Sequence, residues 1–147
     1  MVDALVSLAD FGPTFLEAAG IMTDRAFSGA SLLPFLRNTA PDGWRDDLLM
    51  MCNGVELYYT QRILMTRRHK YVYNGFDEDE LYDRTGDPHE MVNRSADPAW
   101  AAVKREMAGC MWRAMEREGD TANNGYITVG LAPWGPAEAF RDAPSGK

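Results

Sequence analysis

The sequence lacks several features that would assign a protein to a class at once. Its 147 residues include only two cysteines and two histidines, which argues against a disulfide scaffold and a zinc site of closely spaced ligands. No stretch approaches 18 uninterrupted apolar residues, so no membrane-spanning helix is predicted. The first 15 residues contain no basic segment followed by a long apolar one, so no secretory signal is predicted. The cellular compartment stays open.

An excess of positive charge is also missing. The 22 acidic residues outnumber the 15 basic ones and give a formal net charge of −7, which argues against a nucleic-acid partner. Hydrophobic residues make up 46% of the chain and charged residues 25%, as in soluble globular proteins, and the length suits one domain. An anionic ligand would need a local basic pocket set against the acidic average.

Common catalytic patterns are absent as well. The sequence has no Gly-x-Ser-x-Gly element and no glycine-rich phosphate loop. Cys52 and Cys110 allow one disulfide, but two free buried thiols are the favoured interpretation, because Cys52 lies in an apolar run. His69 and His89 have no neighbouring ligand at zinc spacing, so structural roles are predicted for both.

The N-terminal segment VSLADFGPTFLEAAGI has the periodicity of a helix. Ser7 and Asp10 offer a capping box, whereas Pro13, which suits a first turn, favours a start near Asp10. Gly20 stands where a left-handed C-terminal residue belongs. The apolar positions recur at intervals of three and four, and they are Leu8, Phe11, Phe15, Leu16 and Ala19.

A short helix over Ser31–Arg37 and several strands are predicted next. The strands are DLLMMCN, the two halves of RILMTRRHKYVYN around Arg67 and Arg68, and ELYD. Asn74–Gly75 predicts a tight turn, because both residues accept positive φ. The residues that alternate in the middle two strands are Ile63, Met65, Tyr71 and Tyr73.

A final helix begins after Asp97, a natural N-cap, with Pro98 as its first residue, and runs to Gly119. Residues 120–147 are rich in glycine and proline and predict an irregular tail, which leaves residues 1–119 as the folded domain. The predicted fold class is α+β: a small antiparallel sheet of three to four strands with packed helices.

Two charged clusters lie in the middle of the chain. The acids at Asp77–Glu80 lack the spacing of a calcium loop, so a solvated hairpin end is predicted rather than a cation site. The basic cluster consists of Arg62, Arg67, Arg68, His69 and Lys70. It is compatible with an anion site, or with a solvent-facing hairpin paired with Asp77–Glu80, and the second interpretation is favoured.

Five segments, in order, resemble the C-terminal part of sulfatases. VSLADFGPTFLEAAGI is similar to the family pattern V-S-x-x-D-x-x-P-T-x-x-x-x-A-G-I, FSGASLLPFLRN to G-x-S-L-x-P-x-L, and WRDD to W-R-D. RILMTRRHKYVYNG resembles R-x-x-R-T-x-x-x-K-Y-V-Y-N-G, and DELYDRTGDPHEMVNR resembles E-L-Y-D-L-x-x-D-P-x-E-x-x-N-L. Asp83 and Asp87 can cap a turn there, and Glu90 and Asn93 can bind backbone amides. The resemblance runs from about Val6 to Gly119.

The resemblance implies a family of sulfuric ester hydrolases in the alkaline phosphatase superfamily. Its complete members use a formylglycine made from C/S-x-P/A-x-R and calcium or a similar divalent cation. This chain departs from that pattern, since Cys52 is followed by NGVE and Cys110 by MWRA. We therefore expect no catalytic residue, metal site or cofactor in this chain, and whether it is itself an enzyme stays open.

Two functions from different classes follow. The first is a C-terminal sulfatase region, inactive alone, that packs its first helix and sheet against an N-terminal catalytic domain. In this case Arg67, Arg68 and His69 are the predicted substrate-binding residues. The alternative is a non-catalytic interaction module that keeps the fold and binds a protein, an acidic glycan or another copy of itself. A related phosphoester or phosphonate hydrolase is a further possibility, and no membrane or nucleic-acid partner is expected.

Overall fold

The computed structural model describes residues 2–39, 41–53, 60–75 and 77–122, and the chain divides into two compact units, Met1–Leu48 and Leu49–Lys147. The helices are α1 (Phe11–Ala18), α2 (Leu33–Leu36) and α3 (Ala101–Arg117). The strands are β1 (Asp47–Cys52), β2 (Gln61–Thr66), β3 (His69–Asn74) and β4 (Glu80–Asp83). This composition confirms the predicted α+β class. Most of the predicted tail, residues 123–147, lies outside the described part, so the boundary at residue 119 stays a prediction.

Both indications for the start of α1 are correct. Ser7 and Asp10 form a capping box around a short 3-10 turn, Leu8–Asp10, and α1 then begins at Phe11 with Pro13 in its first turn. A residue in the first turn of a helix needs no N–H for an intrahelical hydrogen bond, so Pro13 is tolerated there and the two signals are compatible.

All three helices end in the same left-handed motif. In α1, Gly20 has φ 68°, its N–H donates to Glu17 O at 3.1 Å, and the Ile21 N–H donates to Leu16 O at 2.9 Å. Asn38 at φ 57° ends α2, and the helix, Leu33–Leu36, is shorter than the predicted Ser31–Arg37 at both ends. Gly119 at φ 66° ends α3 as predicted.

The sheet has the order β1-β2-β3-β4, and the pairs β2–β3 and β3–β4 are antiparallel. Leu64 lies opposite Tyr71, which lies opposite Leu81, and all three are buried beneath α3. The Tyr73 and Trp112 rings are 5.4 Å apart. The core joins one face of the sheet to one face of α3, and its members are Leu64, Tyr71, Tyr73, Leu81, Met107, Ala108, Met111, Trp112, Ala114 and Met115.

The alternating residues Ile63 and Met65 of β2 share one face of the sheet, but this face is not the one that packs against α3. Ile63 pairs with Val72 and Met65 with Lys70, so they lie on the face opposite Tyr71 and Tyr73. The buried residues of β2 are Arg62 and Leu64 instead. Hydrophobicity could not show this, because one of the two inward positions carries an arginine.

Two further predictions are corrected by the structure. The predicted turn at Asn74–Gly75 forms, since the Asp77 N–H donates to Asn74 O at 3.4 Å, but neither Asn74 nor Gly75 adopts the expected positive φ. The Gly75 N–H instead continues the ladder to Thr60 O at 3.1 Å, and the Asn74 amide donates to Glu78 O at 2.8 Å. Cys52 is free but exposed at the end of β1, rather than buried. In the part of the chain that the structure describes, no helix combines the length and apolar character needed to cross a bilayer.

Candidate functional site

The turn between β2 and β3 carries the most exposed positive charge of the second unit's sheet. Arg67 and Arg68 occupy its tip and are exposed. The Thr66 hydroxyl closes the turn, since Oγ1 accepts from the His69 N–H at 2.9 Å and donates to His69 O at 3.1 Å. Neither arginine adopts a positive φ, so the tip is held without backbone strain.

Arg84, immediately after β4, adds a third guanidinium to this turn. The backbone N–H of Arg84 donates to Arg68 O at 2.8 Å, and its side-chain Nη1 donates to Thr66 O at 2.8 Å. We call Arg67, Arg68 and Arg84 the basic turn. Arg84 is not among the residues predicted from the sequence, although the pairing of His69 with Asp83 places the next residue beside the tip.

Glu90 neutralises the neighbouring cations. Its carboxylate forms ion pairs with Lys70 and, at 3.8 Å, with Arg84. Arg68 lies 4.0 Å from an Asp83 carboxylate oxygen. The predicted pairing of the basic cluster with Asp77–Glu80 is therefore wrong. So is the predicted amide-binding role of Glu90, which adopts φ 53° and turns its carboxylate to the cations.

His69 points away from the basic turn. Its ring meets the edge of Trp100 at 6.0 Å and an interplanar angle of 88°, on the side of α3. Among the described residues, its buried Nε2 has no hydrogen-bond partner. Burial, reinforced by Arg68, lowers the pKa of His69, and Asp83 and Glu106 oppose this shift more weakly. Of the three predicted substrate-binding residues, only Arg67 and Arg68 present their charge together.

Asp79, in the acidic stretch, binds several neighbours of the sheet. It accepts from Tyr71 Oη at 2.8 Å and from the Asn74 N–H at 3.3 Å, and it pairs with Lys104 at 3.4 Å. Burial raises the pKa of Tyr71 far above its usual range, and the neighbouring Asp79 carboxylate raises it further. In residues 2–39, 41–53, 60–75 and 77–122, no group of three or more His, Cys, Asp or Glu side chains is arranged to hold a metal ion.

Asn93 performs the amide-binding role predicted for it. Its Oδ1 accepts from the N–H groups of Leu81 at 3.0 Å and Ser95 at 2.9 Å, and its Nδ2 donates to Asp79 O at 3.1 Å. One side chain therefore attaches the segment after β4 to the strand itself. The Asp87 carboxylate accepts from backbone N–H groups in the same segment, and these hydrogen bonds lower the pKa of Asp87.

In the first unit, the most distinctive motif residues surround a buried carboxylate. Asp10 is fully buried and accepts from the Ser7 N–H at 2.7 Å and the Ala30 N–H at 2.9 Å. Arg45 binds it through both terminal nitrogens, at 2.9 and 2.5 Å. Burial tends to raise the pKa of Asp10, but Arg45 and the two N–H groups outweigh it, so the pKa is lowered.

Thr14 and Gly29 complete this network. The Thr14 hydroxyl donates to Asp10 O at 2.6 Å and accepts from the Leu32 N–H at 2.8 Å. A Cβ on Gly29 would lie 2.2 Å from Ala9 O, so only glycine fits there. These motif residues bind one another and the backbone, which is the behaviour of a scaffold.

The apolar stripe of the first helix faces solvent. Leu8 is 81% exposed and Phe15 68%. The rings of Phe11 and Phe15 lie 5.9 Å apart, and Leu8 precedes them in the 3-10 turn. An exposed stripe of this kind is typical of an interaction surface.

Comparison with known proteins agrees with this architecture. The family model described as "N-sulphoglucosamine sulphohydrolase, C-terminal" matches residues 1–117, and the chain belongs to this family of sulfatase C-terminal domains. The resemblance stated from the sequence is thereby confirmed.

Three relatives share about a third of their residues with this chain. An uncharacterized protein of Haemophilus influenzae is 34% identical over 83% of the chain, and PehA of Trinickia caryophylli, a multifunctional alkaline phosphatase superfamily protein, is 33% identical over 71%. The N-acetylglucosamine-6-O-sulfatase of Bacteroides thetaiotaomicron is 34% identical over 67%. The matches span 62%, 23% and 19% of these relatives, so the chain corresponds to only part of each of them.

Two solved structures show the same fold. One is a protein in complex with its substrate D-glucosamine-2-N,6-O-disulfate, with a TM-score of 0.66 and 29% identity, covering 76% of this chain and 24% of that one. The other is a phosphonate monoester hydrolase from Silicibacter pomeroyi, with a TM-score of 0.69 and 28% identity, covering 82% of this chain and 27% of that one.

Proposed function

We propose that this chain works as the non-catalytic C-terminal domain of a sulfuric ester hydrolase. The observation that carries the proposal is the use made of the motif residues. Asp10, Thr14, Arg45 and Asn93 satisfy backbone groups or one another, so they support the fold and offer no reactive group. The family match over residues 1–117 supports the hydrolase class.

Bond cleavage in this proposal depends on a formylglycine and a divalent cation held outside the described residues. The residues present do not fit such a cation. Asp79, in the stretch richest in carboxylates, is already bound to Tyr71, Asn74 and Lys104. No catalytic step is therefore assigned to this chain.

The apolar face of α1 is the proposed contact with the catalytic domain. Leu8, Phe11 and Phe15 form a stripe that a folded partner would bury. Burying one such side chain stabilises an interface by about 1.5–3 kcal/mol. The turn with Arg67 and Arg68 is proposed to lie at the substrate side, whereas His69, whose buried ring packs against Trp100, is left out of this proposal.

A turnover assay on the purified chain tests the absence of catalysis. With an aryl sulfate, with and without calcium, we expect no hydrolysis above that of buffer. A Cys52→Ala/Cys110→Ala variant is the matched control, because Cys52 and Cys110 are the two cysteines of the sequence and therefore the two that could be converted to a formylglycine. Turnover by the chain that this variant loses would refute the proposal.

A chimera tests the positive part of the proposal. The catalytic part of the Bacteroides thetaiotaomicron sulfatase is joined to this chain in place of its own C-terminal domain. We expect a folded enzyme that hydrolyses a sulfate ester, and Phe15→Asp should abolish assembly. Met91→Asp is the control, because Met91 is 79% exposed but lies in the second unit. Equal losses in the two variants would contradict docking through α1.

Two observations favour other functions. The likeness to a phosphonate monoester hydrolase favours phosphonate esters, so the chimera is assayed on an aryl phosphonate as well. The exposed stripe of α1 also favours an interaction module that binds itself. Size-exclusion chromatography of the purified chain with light scattering distinguishes this alternative from the hydrolase domain. A defined dimer that becomes a monomer in Phe15→Asp would support the interaction module.

A further inference from the structure

We infer that Asn74–Gly75 is a site of spontaneous deamidation, which the folded second unit protects and which becomes reactive when the Asn74 side chain is released from the sheet. The inference does not depend on the proposed function, because the reaction needs neither a ligand nor a catalytic domain. The dipeptide supplies the reacting atoms, and the hydrogen bonds around it control whether those atoms can meet.

An asparagine followed by glycine loses its side-chain amide without an enzyme or an oxidant. The backbone nitrogen of Gly75 attacks Asn74 Cγ, and a bond forms between these two atoms. The bond from Cγ to Nδ2 breaks, and Nδ2 leaves as ammonia with the proton of the Gly75 N–H. Water then opens the cyclic imide at one of its carbonyl carbons and gives aspartate or isoaspartate. Glycine favours the attack because it carries no Cβ to hinder the approach.

Hydrogen bonds hold both reacting groups in the structure. The Gly75 N–H donates to Thr60 O at 3.1 Å. Asn74 Oδ1 accepts from Gln61 Nε2 at 2.8 Å, and Asn74 Nδ2 donates to Glu78 O at 2.8 Å. Asn74 is the last residue of β3, and formation of the imide ring requires its backbone to rotate out of the extended conformation. The attack therefore cannot begin until these hydrogen bonds break.

The position of Asn74 in the sheet allows it to be released locally. Gln61 and Asn74 form the last pair of the β2–β3 ladder, so they can separate while the other pairs stay intact. Such opening at the end of a strand requires less free energy than unfolding of the whole unit. The rate of deamidation in the folded chain is therefore set by how often this end of the sheet opens.

The surroundings of Asn74 also disfavour the product. In aspartate an oxygen replaces Nδ2, which now donates to Glu78 O and, at 3.3 Å, to Glu80 Oε1. Two acceptors would then face a new carboxylate at a position that is 6% exposed. Asp79, whose Oδ1 accepts from the Asn74 N–H at 3.3 Å, adds a further carboxylate nearby. A chain that has reacted therefore restores this end of the sheet less completely.

Incubation of the whole chain at mildly alkaline pH, with and without denaturing urea, tests the inference. Peptide mass spectrometry follows the conversion of Asn74, and chromatography separates aspartate from isoaspartate. We expect the reaction to be at least about tenfold slower in the folded chain than in urea. In urea, Gly75→Ala should slow the reaction at least about tenfold, because its Cβ hinders the attacking nitrogen and no folded structure is needed for this comparison.

Two matched variants test whether the release is local. Gln61→Ala removes the hydrogen bond to Asn74 Oδ1 and should raise the rate in the folded chain by about two- to tenfold, as expected for one hydrogen bond. Thr66→Ala removes two hydrogen bonds at the other end of the same pair of strands, and its rate should stay within about twofold of the wild type. Thermal unfolding of both variants confirms that they are folded.

A third variant tests the effect of the product. Asn74→Asp should lower the melting temperature by at least about 4 °C, because a buried carboxylate meets acceptors instead of donating to them. Asn38→Asp is the control, because it adds the same charge at an exposed residue of the first unit, and it should shift the melting temperature by less than about 2 °C.

Several results would overturn the inference. Equal rates in the folded chain and in urea would show that the fold gives no protection, and no conversion in urea would show that the dipeptide is unreactive. An unchanged rate in Gly75→Ala would exclude attack by the backbone nitrogen. Equal rates in Gln61→Ala and Thr66→Ala would exclude local release of Asn74. Asn74→Asp with the melting temperature of the wild type would contradict the effect of the product.

Discussion

The buried ion pair of Arg62 and Asp120 offers the sharpest test of how the second unit is stabilised. The Arg62 side chain is 3% exposed and that of Asp120 is 5%. Arg62 binds Asp120 through Nε and, at 3.0 Å, through Nη2, and its Nη1 donates to Asn53 Oδ1 at 2.8 Å. Asp120→Asn removes the negative charge and leaves a buried guanidinium without its counterion.

The expected loss follows from that burial. Breaking a buried pair by removing one partner costs about 3–5 kcal/mol, a large fraction of the roughly 5–15 kcal/mol that stabilises a whole domain. At about 4 °C or more for each kcal/mol, the melting temperature should fall by at least about 12 °C. Glu118→Gln is the matched control, because its carboxylate is 30% exposed and contacts only the neighbouring Arg117 among the contacts described.

Urea unfolding followed by circular dichroism and tryptophan fluorescence measures these differences. The double variant Arg62→Met/Asp120→Leu should be far more stable than either single variant, because it removes both buried charges and keeps the volume. A loss in Asp120→Asn within about 1 kcal/mol of the Glu118→Gln control would refute the reasoning. So would a double variant no more stable than the singles.

Acid provides an independent check on the same pair. The hydrogen bonds from Arg62 are the main reason why the pKa of Asp120 is lowered from its usual 3.8. The stabilisation is therefore present above the unfolded-state pKa and is lost as the pH falls through the lower, folded-state pKa. The wild type should lose stability in that range, and Asp120→Asn should lose less of it.

The pair also tests the predicted boundary at residue 119. A chain ending at Gly119 lacks the carboxylate and should behave like Asp120→Asn, whereas a chain ending at Ala122 keeps it. Equal melting temperatures for these two chains would show that the folded domain does end at Gly119.

Three further predictions concern single side chains. Gly29→Ala should destabilise the first unit by about 3 kcal/mol, because the new Cβ would lie 2.2 Å from a backbone oxygen, whereas Gly12→Ala meets only a ring edge at 3.4 Å and should be neutral or stabilising; thermal unfolding compares them. Asn93→Ala should cost about 2–3 kcal/mol in urea unfolding, because it leaves backbone donors unpaired, and a loss below about 0.5 kcal/mol would contradict this. Since the pKa of His69 is lowered from 6.5, the unfolded state takes up the proton first and stability falls as the pH drops below about 6.5. His69→Gln should remove this dependence in melting experiments between pH 7.5 and 5.5, and His89→Gln should keep it.

Local signals were sufficient for most of the secondary structure. The starts and ends of the helices depend on residues that act on their own neighbours: Ser7 with Asp10, Asp97 with the Ala99 N–H, and the left-handed Gly20 and Gly119. The three strands β2, β3 and β4 lie within the segments predicted for them. Such contacts join residues close together in the chain, so the sequence contains the information directly.

The basic turn was predicted only in part. Its two adjacent arginines are visible in the sequence, but Arg84 reaches it through the pairing of β3 with β4. The sequence predicts a backbone amide as the partner of Glu90, whereas Glu90 binds Lys70, which lies 20 residues away in the chain. A charged side chain can pair with many residues of opposite sign in the sequence, and only the folded backbone determines which of them lies within reach.

The sequence by itself determined the family, the α+β class, the ends of the first and last helices and the positions of the strands along the chain, because motifs, caps and turns act over a few residues. Only the tertiary structure decided which face of β2 is buried, that Asp120 neutralises a buried arginine, and that Asp10 joins three motifs at one carboxylate. These features depend on groups far apart in the chain. Burial makes their pairing obligatory, since an unpaired charge away from water is too costly to keep.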